Sequence, residues 1–382
     1  NKAHSPHIET NRMAPERFVR MVQIFGRLTL IWPPEPKASN FEKCITNGAW
    51  YFTALLNVLS IFLTIRQLGK IDNDPVFLTR TLTILVIVGD SFFHLVLVRL
   101  QWQRFEILVH EVTDFLKAAK TYEKLVCRKY VRRYLGHHTF LVLTFFAGIA
   151  TFFIERYVTK AEFPLDNLYS SLNDTEINRI FIRTLQYFMV LEPMCLLSGD
   201  FMIIMLLWYC SARLELLGES MHHVHDPIEL RKCARRHENI ISFVKETNLA
   251  IDLIILKSLT AVSVVILCAA LQLSHRSKWP TLSQFFLIIC VASVRLFGCA
   301  WAGDDLTEMA SRLSWSIYQC PAIFRSLSLS KSASIIIQTS KRSLVVTVLG
   351  RNLVLSLRFF SRYSIKVVSF FMTLRACIER YV

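Results

Sequence analysis

Seven apolar stretches divide the chain: Ala49–Ile65, Val76–Val98, His138–Ile154, Leu185–Cys210, Leu253–Leu273, Leu282–Ala302 and Leu353–Cys377. A bilayer core about 30 Å thick takes roughly 20 mostly apolar residues in helix, and lipid leaves no other way for one segment to satisfy its backbone polar groups. The pattern therefore predicts an all-α membrane protein with seven transmembrane helices. The last stretch is the weakest, because Arg358, Arg362 and Lys366 interrupt it. Composition matters here because the net charge is +15, which alone suggests a nucleic-acid partner. Yet 53% of the residues are hydrophobic and only 19% charged, against about a quarter charged in an ordinary soluble domain. That excludes a solvated basic surface and a disordered tail. With no repeat at solenoid periods and no Gly/Ser linker, residues 1–382 read as a single domain.

The position of the positive charge gives a direction. Of 44 Lys and Arg, 28 lie in residues 1–48, 99–137, 210–252 and 303–352, and only ten in the alternate set. Cytoplasmic loops carry the excess of Lys and Arg, so the N-terminus is expected in the cytoplasm and the C-terminus outside. The one N-x-[ST] sequon, Asn173-Asp174-Thr175, falls in a segment this direction places outside, where glycosylation occurs. The same direction weighs against the alternative of a G-protein-coupled seven-helix chemoreceptor. Glu155-Arg156-Tyr157 resembles that class's third-span tripeptide but stands at the wrong membrane face, and no Asn-Pro occurs. The sequence opens at Asn1, and residues 1–40 hold no apolar signal core, so insertion is expected to begin at the first span.

Enzyme signatures are missing: there is no Gly-rich phosphate loop, GxSxG or HExxH. Ten Cys include no CxxC pair. His222, His223, His225 and Asp226 cluster, but without a partner pair at ligand spacing they read as a solvated loop, and no metal or cofactor is expected.

Three stretches resemble the insect odorant receptor family. Phe25-Gly26-Arg27-Leu28-Thr29-Leu30-Ile31-Trp32-Pro33-Pro34 is similar to that family's N-terminal "GlWPP" run. Gly303-Asp304-Asp305-Leu306-Thr307-Glu308, with Ser311 and Ile317-Tyr318, resembles its block after the sixth span. Leu355-Ser356-Leu357 through Phe360 to Ser369–Arg375 resembles its C-terminal stretch. The gustatory branch's "TYxxxxxQF" ending is not found. The resemblance implies a plasma-membrane subunit of olfactory sensory neurons, with cytoplasmic helical extensions forming an anchor domain. It further implies a non-selective cation channel, built as a heterotetramer with the odorant co-receptor and opened by a small volatile molecule.

Within that frame, intramembrane charges are functional candidates by default. Asp90, Asp200 and Arg295 fall at similar depths on spans two, four and six and are expected to form a buried ion-pair cluster; Glu192 and Arg80 are candidates for a second pairing. The resemblance implies a ligand pocket in the outer half between spans two, three, four and six, for which Thr81, Phe146, Ile149, Phe153, Tyr187, Leu191 and Phe286 have suitable depth. It also implies a pore along the last span, where Thr373 and Cys377 are i, i+4 neighbours expected to narrow it.

Overall fold

In a computed structural model of the chain, residues 14–33, 39–69, 75–159, 176–274, 279–319, 330–331, 333–338, 344–348 and 353–381 are described. Asn173 and its sequon lie outside them. Among the described residues, six helices or helix pairs are long and apolar enough to cross a membrane: α2 (Asn40–Leu68), α3 (Pro75–Leu100), α5 (Thr121–Thr159), the pair α6 (Glu176–Leu191) and α7 (Met194–His222), α8 (Pro227–Ser274) and α9 (Trp279–Tyr318). Between and beside them stand α1 (Pro15–Leu28), α4 (Trp102–Ala118) and α10 (Leu357–Tyr381).

The fourth apolar stretch forms two helices because Pro193 has no N–H to continue the ladder; Glu192 closes α6 and Pro193 caps α7. The seventh begins later than the sequence suggests. Leu353–Val354 pairs antiparallel with Thr347–Val348 as strands β2 and β1, and α10 starts only after Ser356, whose Oγ accepts from Phe359 N at 3.2 Å.

Burial sorts the helices. Every residue from Cys195 to Ala212 on α7 is buried, so this helix, apolar on all sides apart from Asp200 and a few hydroxyls, is the axis of the bundle. By contrast α2 leaves Tyr51, Phe52, Leu55, Val58, Phe62 and Ile65 exposed, an apolar outer face suited to lipid. Where α2 and α3 meet the basic end, Arg99 lies 4.1 Å over Trp102 and 5.8 Å from Trp50, an aromatic and cationic pairing typical of a membrane–water interface.

Beyond that interface α5, α8 and α9 run on past their apolar spans and pack with α1, α4 and the hairpin. Asp226 caps α8 by accepting from Glu229 N at 2.7 Å, while the Glu229 carboxylate accepts from His225 N at 2.8 Å. His237, about 24 Å along α8 from the start of its apolar span, is buried, and desolvation pushes its imidazole down to about 4. Two parallel links tie α5 to its neighbours: Tyr130 and Lys129 both donate to Glu215 on α7, at 2.7 and 2.6 Å, and Tyr134 and Arg133 both donate to Asp305 on α9.

Two of the motifs singled out in the sequence are joints. Leu30 adopts φ 60°, which turns the chain so that Ile31 N and Trp32 N both donate to Gly26 O at 2.8 and 2.9 Å. Trp32 then lies on Gly26, where an added Cβ would stand 2.9 Å from it. At Gly303 a Cβ would stand 2.6 Å from the Leu355 carbonyl oxygen, so the glycine lets the segment after β2 pass directly over α9.

Candidate ligand site and intramembrane charge cluster

A cavity of about 130 Å³ lies between α3, α5, α6, α7, α8 and α9. Ile84, Ile87 and Val88 of α3, Phe145, Gly148, Ile149 and Phe152 of α5, and Met189 and Val190 of α6 form much of its wall. Val262 of α8 and Leu287, Ile288 and Val291 of α9 close the far side. Apolar walls with few polar groups are the usual chemistry of a small-molecule pocket.

Of the seven ligand residues read from the sequence, Ile149 lines this cavity. Phe146, Phe153, Leu191 and Phe286 are 48%, 44%, 46% and 58% exposed and face outward, each directly beside a lining residue in sequence. One residue is 100° of helix, so correct depth with the wrong phase turns a side chain from pocket to exterior. Thr81 is buried, its hydroxyl donating to Phe77 O at 2.8 Å. Tyr187 stacks on Phe153 with ring centroids 5.8 Å apart.

Beneath the cavity the intramembrane charges meet. Arg295 Nε donates to Asp200 Oδ2 at 2.6 Å, and its Nη1 stands 3.7 Å from Asp90 Oδ2. A fourth member completes the group: Lys257 Nζ reaches Asp90 Oδ1 at 2.5 Å. Asp90, Asp200 and Arg295 are the three expected from the sequence, and Lys257 is the addition the structure makes. The available signal was a lysine on an apolar span with a surplus acid at matching depth on its neighbours. Two acids and two bases balance, which is what allows all four to be buried. Asp90 and Arg295 also line the cavity, so the charge cluster is its floor.

Glu192 sits apart, with Asn57 Nδ2 at 3.3 Å and Cys195 Sγ at 3.5 Å donating to its Oε1. Arg80 is half-buried on α3, and the hydrogen bonds just given tie Glu192 to α2 and α7 instead.

On α10, Val367 is buried, and Tyr363 bonds across to α8 through Ser263 Oγ at 2.7 Å and Leu259 O at 3.0 Å. The opposite face carries Arg358, Arg362, Lys366, Thr373 and Cys377, all exposed. The three cations border an open cleft of about 830 Å³ between α8, α9 and α10, with Asp304 on its α9 side.

The fold superposes on the insect olfactory receptor OR5 from Machilis hrabei with a TM-score of 0.80, covering 94% of this chain and 97% of that one at 13% identity. A second structure of that receptor, in complex with eugenol, superposes with a TM-score of 0.79 over 94% of this chain and 98% of that one, at 13% identity. No curated protein sequence matches. The model of the 7tm odorant receptor family matches residues 74–363, three quarters of the sequence, and the chain therefore belongs to the odorant receptor family, a family of membrane receptors rather than enzymes.

Proposed function

We propose that the chain is the odorant-binding subunit of a ligand-gated channel. In this reading a small volatile enters the cavity between α3 and α9 and opens a non-selective cation pathway. That pathway is formed with the odorant co-receptor as a heterotetramer in the plasma membrane of olfactory sensory neurons. The N-terminus faces the cytoplasm and the C-terminus the outside, in keeping with the charge asymmetry of the loops. The observation that carries the proposal is the apolar cavity between the helices, with its charged floor, inside a member of the odorant receptor family. The Machilis receptor of the same fold was solved in complex with eugenol, which supports a small volatile as the class of ligand. The helix that carries Arg295 also touches the last helix, where Phe297 meets Phe360 of α10 with ring centroids 5.6 Å apart.

The test is current recording from cells that co-express the chain and the co-receptor, against a panel of volatiles. Gly148→Leu is the informative variant. A Cβ there has its nearest neighbour, Leu287 Cβ, at 3.9 Å, so the backbone accepts a side chain and the isobutyl group fills cavity volume. Evoked current should fall by at least about tenfold with surface expression unchanged, since one lost ligand contact surface costs on the order of 1–3 kcal/mol. Evoked currents that survive Gly148→Leu intact would place the ligand elsewhere.

A further inference from the structure

The cavity floor is not chemically neutral toward what sits above it. Asp90 is well supplied with donors: Lys257 Nζ reaches its Oδ1 at 2.5 Å and its main-chain oxygen at 3.0 Å. Arg295 is less well supplied with acceptors. Its Nε is used by Asp200 at 2.6 Å, but Nη1 is 3.7 Å from Asp90 Oδ2, outside hydrogen-bonding distance. A guanidinium carries five N–H donors, and among the described residues only the Nε donor has an acceptor within hydrogen-bond distance. The side chain itself lines a cavity that, apart from Asp90 already held by Lys257, is aliphatic and aromatic. Donors at an apolar wall gain most from an acceptor brought by a ligand, because little else there competes for them.

We infer that Arg295 is the polar anchor of the ligand site, and that the site selects a neutral volatile with one acceptor oxygen, as in a ketone, ester or ether. The inference rests on the cavity being the ligand pocket, as proposed above. The apolar body of such a molecule lies against Val88, Phe145, Ile149 and Ile288, and its oxygen accepts from a terminal nitrogen of Arg295. Neutrality follows from the floor, which presents both signs: a carboxylate would also face Asp90, and an ammonium would also face Arg295. Size follows from the volume, since a cavity of about 130 Å³ is close to the ~150 Å³ that accommodates a benzene ring in an engineered apolar core.

The experiment uses the full chain in lipid nanodiscs, with binding read from thermal stabilisation across a ligand titration. The probes are cyclopentanone and methylenecyclopentane, the isosteric alkene in which a methylene group replaces the carbonyl oxygen. Wild type should bind the ketone about tenfold more tightly, or better, because only the ketone supplies the acceptor. Arg295→Lys keeps the charge but not the fork of donors, and should bring the two affinities together while the alkene's own affinity changes little. Equal affinities in wild type overturn the inference, and so does a preference that Arg295→Lys retains. The wild-type comparison decides the matter by itself if that variant does not fold. Gly148→Leu separates this failure from a deeper one. It should abolish binding of both probes, and if both bind it unchanged then the pocket assignment itself falls.

Discussion

At the scale of single residues, the four charges under the cavity are two pairs held in one group. Lys257 with Asp90 and Arg295 with Asp200 each sum to zero. Breaking one member leaves its partner buried and uncompensated, which typically costs about 3–5 kcal/mol, whereas removing both members of a buried pair is often close to neutral. Asp200→Asn should therefore lower the thermal unfolding midpoint strongly, and Asp200→Asn with Arg295→Gln should recover most of the loss. A double variant as unstable as the sum of the singles would show that the pair is not energetically coupled. The same residues mark the limit of what the sequence makes legible. Charge in an apolar span is conspicuous, so Asp90, Asp200 and Arg295 could be singled out at once. Helix phase is not conspicuous when both faces are apolar, which is why Phe146 was read where Phe145 lines the cavity, and Phe286 where Leu287 does. Lipid and protein interior favour the same side chains, so hydropathy carries no phase signal.

At the scale of elements, the spans were readable because length and hydropathy alone define a membrane helix. What was not readable was how they end. The division of α6 from α7 is local, since Pro193 has no N–H, but the β hairpin takes Leu353 and Val354 out of the last apolar stretch through contacts with other elements. The hairpin is anchored from two sides: Asn248 of α8 donates to Val345 O at 2.8 Å, and Gly303 of α9 lies against the Leu355 carbonyl. Leu344, Val346, Val348 and Leu355 are fully buried in the joint this makes. Gly303→Ala would put a methyl group 2.6 Å from that backbone oxygen, which cannot swing aside as a side chain could. The strand should lift from α9, at a cost on the order of 1–3 kcal/mol for the overpacking. Hydrogen exchange should report it as faster amide exchange at residues 344–348 and 353–356 and not in the helices. Exchange unchanged there, with loss elsewhere, would assign Gly303 a different role.

At the scale of the whole molecule, α10 is packed on one side only. Val367, with Phe360 and Tyr363 partly buried, holds it to α8 and α9, and the other side presents Arg358, Arg362, Lys366, Thr373 and Cys377. Steps of four and seven residues put all five on one stripe. Cys377 lies eleven residues beyond Lys366, about 16 Å along the axis, so cations and the Thr–Cys pair occupy different depths of the same face. In the proposed channel the Thr–Cys end narrows the pathway, while the cations border the open cleft with Asp304 and stay clear of it. Cys377 and Cys44 are exposed among the described cysteines, so Cys377 can be addressed selectively once Cys44 and Cys320 are replaced by Ser. A positively charged methanethiosulfonate added from the C-terminal side should block odorant-evoked current in that background. Serine at Cys377 should make the channel indifferent to the reagent. Arg362→Gln should leave the reversal potential unchanged, because a cation that borders the cleft rather than the pathway sets no selectivity. Full labelling of Cys377 with current undiminished would remove α10 from the conduction pathway, and a shifted reversal potential in Arg362→Gln would move the cationic stripe into it.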